Sequence, residues 1–262
     1  MLLAIDIGNT NIVFALIEGE NIRARWRIST DWQRTADEYG VWLQQLMSMA
    51  GIGRGEVDAV IVASVVPQML FHLRGLARHY FGLEILVAGN PGAEFGMPIN
   101  LPNPGEAGAD RIVNAVAAHD QWPGDLIIVD FGTATTFDVV GAAGVFEGGV
   151  ISPGINLSME ALHQAAARLP RVAVEPPGPG LGVIGKGTVH AMKSGVFWGY
   201  VGMVEGLVAR IAGEIGRPAT VIGTGGLAPL FGRHTPAIHH VDGDLTIKGL
   251  IRIYRRSRES AA

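Results

Sequence analysis

The 262-residue chain contains no cysteine. This absence excludes disulfide bonds, cysteine-ligated zinc or iron-sulfur sites, and a thiol nucleophile. Charge is also scarce, because charged residues make up 17% of the chain and the formal net charge is −4. Hydrophobic residues, by contrast, make up 48%. The composition therefore predicts a globular protein with a sizeable core, built as one large domain or as two domains of about 130 residues each.

Long apolar runs and export signals are missing as well. The most apolar stretch, Ser194 to Val204, lies between Lys193 and Glu205 and is well short of the roughly 20 residues that a membrane span requires. We therefore expect a packed helix there and no membrane partner. The opening MLLAIDIGNT has no basic region and reaches Asp6 at once, which indicates a strand rather than a signal peptide. A cytoplasmic location is the resulting expectation.

The distribution of basic residues does not indicate a nucleic-acid-binding surface. The sequence pI is about 6.1, and the one basic cluster is Arg252, Arg255, Arg256 and Arg258 near the C-terminus. Cations at the end of a helix complement its dipole. We therefore interpret this cluster as a solvated helix end and expect no nucleic-acid partner.

The chain uses one supersecondary unit twice. Residues 2–28 alternate in hydrophobicity across three short segments separated by IGNT and EGEN, which predicts three antiparallel strands. A helix follows, and Thr35 with Glu38 predicts a capping box at its start. The same order returns from Leu126, in LIIVDFGTATTFDVV and VFEGGVISPG. Asp6 and Gly8 recur as Asp130 and Gly132 at the same separation. The sequence therefore predicts an α/β protein with domains at 1–120 and 121–262 and a cleft between them. The terminal helix of the second domain could pack back on the first.

The turn that follows Asp6 and recurs after Asp130 has the chemistry of a phosphate site. Gly8 allows close approach, Asn9 and Thr10 supply donors, and Thr133 offers a hydroxyl in the second copy. Asp6 could position a hydrated magnesium ion, which often binds through one or two carboxylates and substrate phosphates. Either turn alone would most simply be a structural hairpin. Two copies on matching strands favour phosphate binding and resemble the actin-like, sugar-kinase and Hsp70 superfamily.

A second glycine-rich segment is a poorer phosphate candidate. Gly180 to Gly187 approaches a Walker A loop, but Gly187 stands where that loop needs a serine or threonine. The segment also follows a proline-rich stretch that cannot form the required strand. Lys186 and Thr188, at a predicted helix start, remain candidate ligands for a substrate anion.

A candidate base follows a long Gly/Pro/Asn-rich loop, Ala88 to Pro104. The stretch GADR, Gly108 to Arg111, opens a predicted helix. Asp110 could simply complement the helix dipole, with Arg111 as a surface partner. In a protein with two phosphate turns, the pair instead suggests that Asp110 is a base for a hydroxyl group and that Arg111 binds a carboxylate or phosphate.

The ordered set of motifs resembles the type III pantothenate kinase family. DIGNTN at Asp6, GADR at Gly108 and DFGTATTFD at Asp130 are similar to its first phosphate, pantothenate and second phosphate motifs. EGGVISPGINLSMEALHQAAARLPRV and IGKGTVHAMKSG match later segments of the family. The resemblance implies two duplicated actin-like (ribonuclease H-like) domains with an ATP cleft between them. It also implies ATP-dependent phosphorylation of pantothenate, the first step of coenzyme A biosynthesis.

The resemblance also implies roles for individual residues. Asp110 would accept the proton, and Asp130 would bind a monovalent potassium or ammonium ion. Magnesium would accompany ATP, with Asp6 as its candidate ligand. ATP would contact Asp6, Ile7, Gly8, Asn9, Thr10, Asn11, Ile12, Val13 and Thr133. Pantothenate would contact Leu101, Gly108, Ala109, Asp110, Arg111 and Thr188.

The family is typically a cytoplasmic homodimer, and Leu101 stands where its members usually carry a tyrosine. Four glycines of the predicted helix Thr188 to Ile215 would permit close helix packing, within the chain or across a dimer interface: Gly195, Gly199, Gly202 and Gly206. Two other functions stay open from the residues themselves. One is a kinase of another small hydroxylated acid, and the other is a nucleotide-dependent regulatory protein without enzymatic activity.

Overall fold

The computed structural model describes residues 1–165, 169–178 and 180–261. Within them the chain divides into two compact units. Unit 1 comprises 1–98, 102–117 and 245–262, and unit 2 comprises 99–101 and 118–244. The sequence-based limits, 1–120 and 121–262, assign the last segment to the second domain but allow its helix to pack back on the first, and the contacts group this segment with unit 1.

Unit 1 is built on a five-stranded sheet in the order β3-β2-β1-β4-β5. The strands are β1 (Leu2–Ile7), β2 (Asn11–Glu18), β3 (Asn21–Ser29), β4 (Ala59–Ser64) and β5 (Ile85–Val87). The first three are antiparallel neighbours, and β4 runs parallel to β1 and β5. β1 reads as an almost continuous apolar run because both of its faces are covered.

The helices of unit 1 are α1 (Ala36–Met49), α2 (Met69–Leu76), most of α3 (Ala109–Gln121) and α7 (Leu245–Ala261). The capping box predicted at Thr35 and Glu38 is present and starts α1. Tyr39, Leu43 and Met47 of α1 pack into the same apolar core as Phe14 of β2.

The C-terminal helix α7 belongs to unit 1 because its apolar face packs on β1 and β4. A Cβ at Gly249 would lie 2.1 Å from the carbonyl oxygen of Val113 in α3, so only glycine allows this approach. Thr246 Oγ1 donates to the buried Asn114 Oδ1 at 2.7 Å.

Two of the C-terminal arginines, interpreted from the sequence as part of a solvated helix end, also form hydrogen bonds to other segments of unit 1. Arg255 donates to Glu20 Oε1 at 2.6 Å and to the carbonyl of Gly19 at 3.0 Å. Arg256 donates to the carbonyls of Phe95 and Gly96 at 3.1 and 3.3 Å. These contacts tie α7 to the rest of unit 1.

Unit 2 repeats the strand order of unit 1, as β10-β9-β6-β7-β8. Its strands are β6 (Asp125–Phe131), β7 (Ala134–Val140), β8 (Phe146–Pro153), β9 (Ala219–Gly225) and β10 (His240–Val241). β6, β7 and β8 are antiparallel neighbours, and β9 runs parallel to β6 and β10. The two sheets therefore share one topology, which confirms the predicted duplication of an α/β unit.

The helices of unit 2 are α4 (Ile155–Ala165), α5 (Thr188–Ile215) and α6 (Ala228–Phe231). The core beneath α5 includes Phe197 and Val204 from the helix, Val129 from β6 and Phe231 from α6. The bidentate pair of Arg217 with Asp125, at 2.9 and 2.8 Å, fixes the start of β6.

Helix α5 extends well beyond the apolar run 194–204 considered from the sequence. By length and composition alone, and within the described residues, it is the one helix that could cross a membrane, with 28% of its most apolar 18-residue window buried. A single such helix is weak support for a membrane span, because core helices of globular proteins meet the same criterion. Phe197, Tyr200, Val201 and Val204 pack into the core of unit 2.

Candidate functional site

The first phosphate turn, Gly8 to Thr10, joins β1 to β2. The Gly8 N–H donates to the carbonyl of Asn11 at 3.0 Å and closes the turn. A Cβ at Gly8 would lie 3.2 Å from that oxygen, closer than nearly all real contacts allow. Asn9 and Thr10 are exposed, and Asp6 is half-buried at the end of β1. The predicted turn therefore presents short polar groups outward from a closed hairpin.

The predicted acceptor motif opens helix α3 as expected, with Asp110 in its first turn. The backbone N–H of Arg111 donates to Asp110 Oδ1 at 2.8 Å. A Cβ at Gly108 would lie 2.6 Å from the same oxygen. Glycine at position 108 is therefore a condition for the observed position of the Asp110 carboxyl group.

Burial raises the pKa of Asp110 above its ordinary value. The hydrogen bond from the Arg111 N–H and the charge of Arg111 oppose that rise, but burial has the larger effect. A general base works best when its pKa is near the working pH. The raised pKa therefore suits a group that must accept a proton.

The acceptor motif and the first phosphate turn lie at the same edge of the unit 1 sheet. β1 and β4 run parallel and end together, with Ile7 paired to Ser64. Directly after β4, the Val65 N–H donates to the carbonyl of Ile7 at 3.1 Å. A Cβ at Gly108 would lie 3.6 Å from Val65 Cγ1. The carboxyl ends of parallel strands thus bring the candidate base to the edge that carries the turn.

The second phosphate turn, in unit 2, joins β6 to β7 through Gly132 and Thr133. The Gly132 N–H donates to the carbonyl of Ala134 at 3.0 Å, and Thr133 is exposed. The Gly154 N–H, directly before α4, donates to the carbonyl of Thr133 at 3.1 Å. A Cβ at Gly154 would lie 2.2 Å from that carbonyl oxygen, so no side chain fits there.

Asp130, the predicted ligand of a monovalent cation, lies at the equivalent position to Asp6. It pairs with Thr136 of β7 and Thr224 of β9. Gly225 has a φ of +87°, and a Cβ there would lie 2.4 Å from Asp130 Oδ1. Glycine at 225 therefore leaves room for the Asp130 carboxylate beside the backbone of β9.

The donor set fits hard cations. No group of three or more His, Cys, Asp or Glu side chains that could hold a metal ion occurs among the described residues. Asp6 and Asp130 each lie near the end of a strand and beside a turn that carries hydroxyl and carbonyl oxygens. One carboxylate with substrate phosphates and waters is the typical environment of magnesium.

Two predicted acceptor contacts belong to unit 2. Thr188 is exposed at the first position of α5, as expected. Leu101 is half-buried and lies near β8, where its Cδ2 would be 3.3 Å from a Cβ at Gly148. Nearby, Asn100 donates its side-chain amide to Glu147 Oε2 at 2.6 Å. Asp110 and Arg111 are in unit 1.

Two residues that support the turns were missed from the sequence. Thr30 contacts the first turn, and Gly154 contacts the second. Gly154 is the last residue of the stretch EGGVISPG, and a glycine directly before a helix could have indicated a close approach to another backbone segment. Thr30 gives no such signal, because its contact depends on how β3 returns beside β2.

Comparison with known proteins identifies a family. A sequence model of type III pantothenate kinase matches residues 2–210. A type III pantothenate kinase from Paramagnetospirillum magneticum is 59% identical over 257 residues, covering 98% of both chains. Another, from Phenylobacterium zucineum, is 58% identical over 261 residues and covers 100% of both.

A structural comparison supports the fold. A candidate 2-dehydro-3-deoxygalactonokinase from Sinorhizobium meliloti superposes with a TM-score of 0.56 at 12% identity, covering 98% of this chain and 96% of that one. At this identity the likeness concerns the fold alone. It agrees with the predicted actin-like, sugar-kinase architecture.

Proposed function

This chain belongs to the type III pantothenate kinase family, and on that premise we propose how its residues carry out the reaction. The reaction is ATP-dependent phosphorylation of pantothenate to 4′-phosphopantothenate, which begins coenzyme A biosynthesis. The observation that carries the residue assignments is the placement of Asp110. Its carboxyl group is half-buried, has a raised pKa and stands at the sheet edge that carries the first phosphate turn.

Asp110 is the proton acceptor in this proposal. The hydroxyl oxygen of pantothenate attacks the γ-phosphorus of ATP, its proton passes to an Asp110 carboxyl oxygen, and the bond to the leaving ADP oxygen breaks. The hydrogen bond from the Arg111 N–H holds Asp110 Oδ1 in place during the transfer. The Arg111 guanidinium, with Gly108 and Ala109, contacts the acceptor, because a guanidinium suits the pantothenate carboxylate.

The turns bind the phosphates of ATP. Asp6 to Val13 of unit 1 and Thr133 of unit 2 are the proposed contacts. Exposed N–H and hydroxyl groups at a closed hairpin form a cradle for anions. Phosphoryl transfer depends chiefly on positioning and charge neutralisation, so rigid turns of this kind are what the reaction requires.

Two cations complete the proposal. A kinase uses ATP with a divalent metal, and Asp6 would hold that ion as magnesium. When bound, magnesium neutralises charge that develops on the phosphate oxygens. Asp130 would hold the monovalent potassium or ammonium ion, with Gly225 leaving room for its carboxylate.

Thr188 and Leu101 are the remaining acceptor contacts. Thr188 is exposed at the start of α5 and can donate a hydroxyl hydrogen bond to an anionic or polar group. Leu101 offers an apolar surface where related proteins usually carry a phenol. We expect it to contact the aliphatic part of pantothenate.

A homodimer is also part of the proposal. A Cβ at Gly195, Gly199 or Gly202 would meet no atom of the described chain within 4 Å, so these glycines do not permit packing inside the chain. Their spacing places them on one face of α5. Several apolar side chains of unit 2 are exposed: Ile151, Leu157, Leu162, Leu181, Val183, Ile184 and Val189. A second copy of the chain could cover these surfaces.

The cytoplasmic location stays a prediction.

The test of this function is direct detection of 4′-phosphopantothenate. The purified chain is incubated with ATP, magnesium and pantothenate, with potassium, ammonium or neither. We expect product that depends on a monovalent cation, and Asp130→Asn should raise the cation concentration needed for half-maximal rate. Activity that is equal without a monovalent cation would remove the role of Asp130 while leaving the kinase assignment intact.

A further inference from the structure

Thr30 holds the first phosphate turn from two directions. Its hydroxyl Oγ1 donates to the carbonyl of Gly8 at 2.6 Å. Its backbone N–H donates to the carbonyl of Thr10 at 2.9 Å. Thr30 follows β3 directly and is half-buried. One residue from the edge strand therefore fixes the peptide groups at both ends of the turn.

The bond to Gly8 determines where the next N–H points. No cis peptide bond occurs in the described chain. In a trans peptide group the C=O and the following N–H point in opposite directions within one plane. Because the Gly8 carbonyl points to Thr30, the Asn9 N–H points away from Thr30. That N–H belongs to an exposed residue of the turn and lies on the side opposite to Thr30.

We propose that Thr30 is a positioning residue that sets the first turn in its ATP-binding conformation. The inference rests on the proposed function, because it takes the turn as a phosphate contact. Thr30 does not touch ATP in this account. It acts through the Gly8–Asn9 peptide group, whose orientation its hydroxyl determines.

The two bonds can be separated by substitution. Thr30→Val keeps the shape and β-branching of the side chain and the backbone bond to Thr10, but it removes the hydroxyl donor to Gly8. Thr30→Ser keeps the donor and loses only a methyl group. Ser29→Ala is the matched control, because it removes an exposed hydroxyl from the preceding residue, the last of β3.

The experiment measures kcat and both KM values for the intact enzyme, together with the melting temperature. For Thr30→Val we expect KM for ATP to rise about 3- to 10-fold, the range that loss of one neutral hydrogen bond produces. KM for pantothenate should stay within about twofold. Thr30→Ser and Ser29→Ala should keep KM for ATP within about twofold of the wild-type value.

Three results would overturn the inference. They are an unchanged KM for ATP in Thr30→Val, an equal rise of both KM values, and failure of Thr30→Ser to restore the wild-type value. A lower melting temperature together with either of the first two results would indicate a merely structural role. The wild-type assay separates this inference from the proposed function, because only an inactive wild-type protein would contradict the latter.

Discussion

Gly108 and Asp110 form a steric pair: any Cβ at position 108 would lie 2.6 Å from Asp110 Oδ1. The same oxygen accepts the hydrogen bond from the Arg111 N–H at 2.8 Å, so displacing it would disturb that bond. A residue with no side chain thus determines where the proposed base stands.

Gly108→Ala should therefore damage turnover more than binding of ATP. The added methyl group displaces the Asp110 carboxyl group, and a displacement of about 1 Å can lower a rate about 100-fold. Steady-state kinetics and ATP titration would measure the two effects. Gly105→Ala is the control, because a Cβ there would meet nothing within 4 Å; equal kinetics for both variants would contradict the steric account.

Asp110→Asn should change stability in a direction that depends on pH. Burial raises the folded-state pKa of Asp110, so the folded protein binds more protons than the unfolded chain between the two pKa values. The stability of the folded wild-type protein therefore falls as pH rises between these two pKa values, because Asp110 then ionises at a cost in the folded state. Asparagine does not ionise, so the melting temperature of the variant relative to wild type should be higher at about pH 8 than at about pH 4.

Thermal unfolding of both proteins gives the difference in melting temperature between Asp110→Asn and wild type at each pH. Comparing that difference at the two pH values cancels any pH-independent effect of replacing an oxygen by an amide nitrogen. A larger relative melting temperature at the acidic pH would show that the Asp110 pKa is not raised in the folded protein.

Arg217→Met should destabilise the protein at neutral pH. Arg217 forms a bidentate pair with the buried Asp125 and lowers the Asp125 pKa. Because Arg217 itself is largely exposed, solvent screens the pair, and we expect a smaller loss in the free energy of unfolding than removal of a fully buried ion pair would cause. A lowered pKa stabilises the fold above the unfolded-state value near about 3.9, and that stabilisation disappears as pH falls through the folded-state value.

Urea unfolding at about pH 7 and about pH 2.5 tests this pair. The difference between wild type and Arg217→Met should shrink at the acidic pH. Arg233→Met, at an exposed position, is the control and should leave the free energy of unfolding nearly unchanged at both. A difference that persists undiminished in acid would mean that packing of the arginine stem, rather than the ion pair, stabilises the fold.

Gly199→Leu should disrupt the proposed homodimer. The exposed glycine face of α5 leaves room for close helix approach between copies, and a leucine there would hold the helices apart. Within one chain leucine meets no obstacle and improves helix propensity by roughly 0.5–1 kcal/mol. Light scattering should therefore give the mass of a monomer for Gly199→Leu, and the substitution should not destabilise the helix itself. Gly55→Leu is the control and should leave the dimer intact. Unchanged dimerisation of Gly199→Leu would exclude this face as the interface.

Much of the fold follows from local sequence patterns. The alternation of residues 2–28, the capping box at Thr35 and the bounds of α5 were all predicted and are confirmed. The repeat of Asp6 and Gly8 as Asp130 and Gly132 predicted the shared topology of the two sheets. These signals are local because they arise from periodicity, capping and turn chemistry.

The features that the sequence did not predict depend on distant contacts. Arg256 holds the carbonyls of Phe95 and Gly96, far away in the chain. The sequence left open that α7 packs back on the first domain, but it did not show the contact involved, in which Gly249 allows a close approach to Val113. β10 has two residues, too few for any alternation to be visible. Such contacts depend on tertiary packing, which a single sequence does not display as a pattern.

The most direct test of the account compares the wild-type protein with Asp110→Asn in one assay. Both are supplied with ATP, magnesium, potassium and pantothenate, and 4′-phosphopantothenate is quantified while ATP binding is measured by titration. The account predicts product from the wild type, no detectable turnover from Asp110→Asn, and similar ATP affinity for the two. Near-normal turnover by Asp110→Asn would contradict the assignment of the base, and no product from the wild type under any cation condition would contradict the function itself.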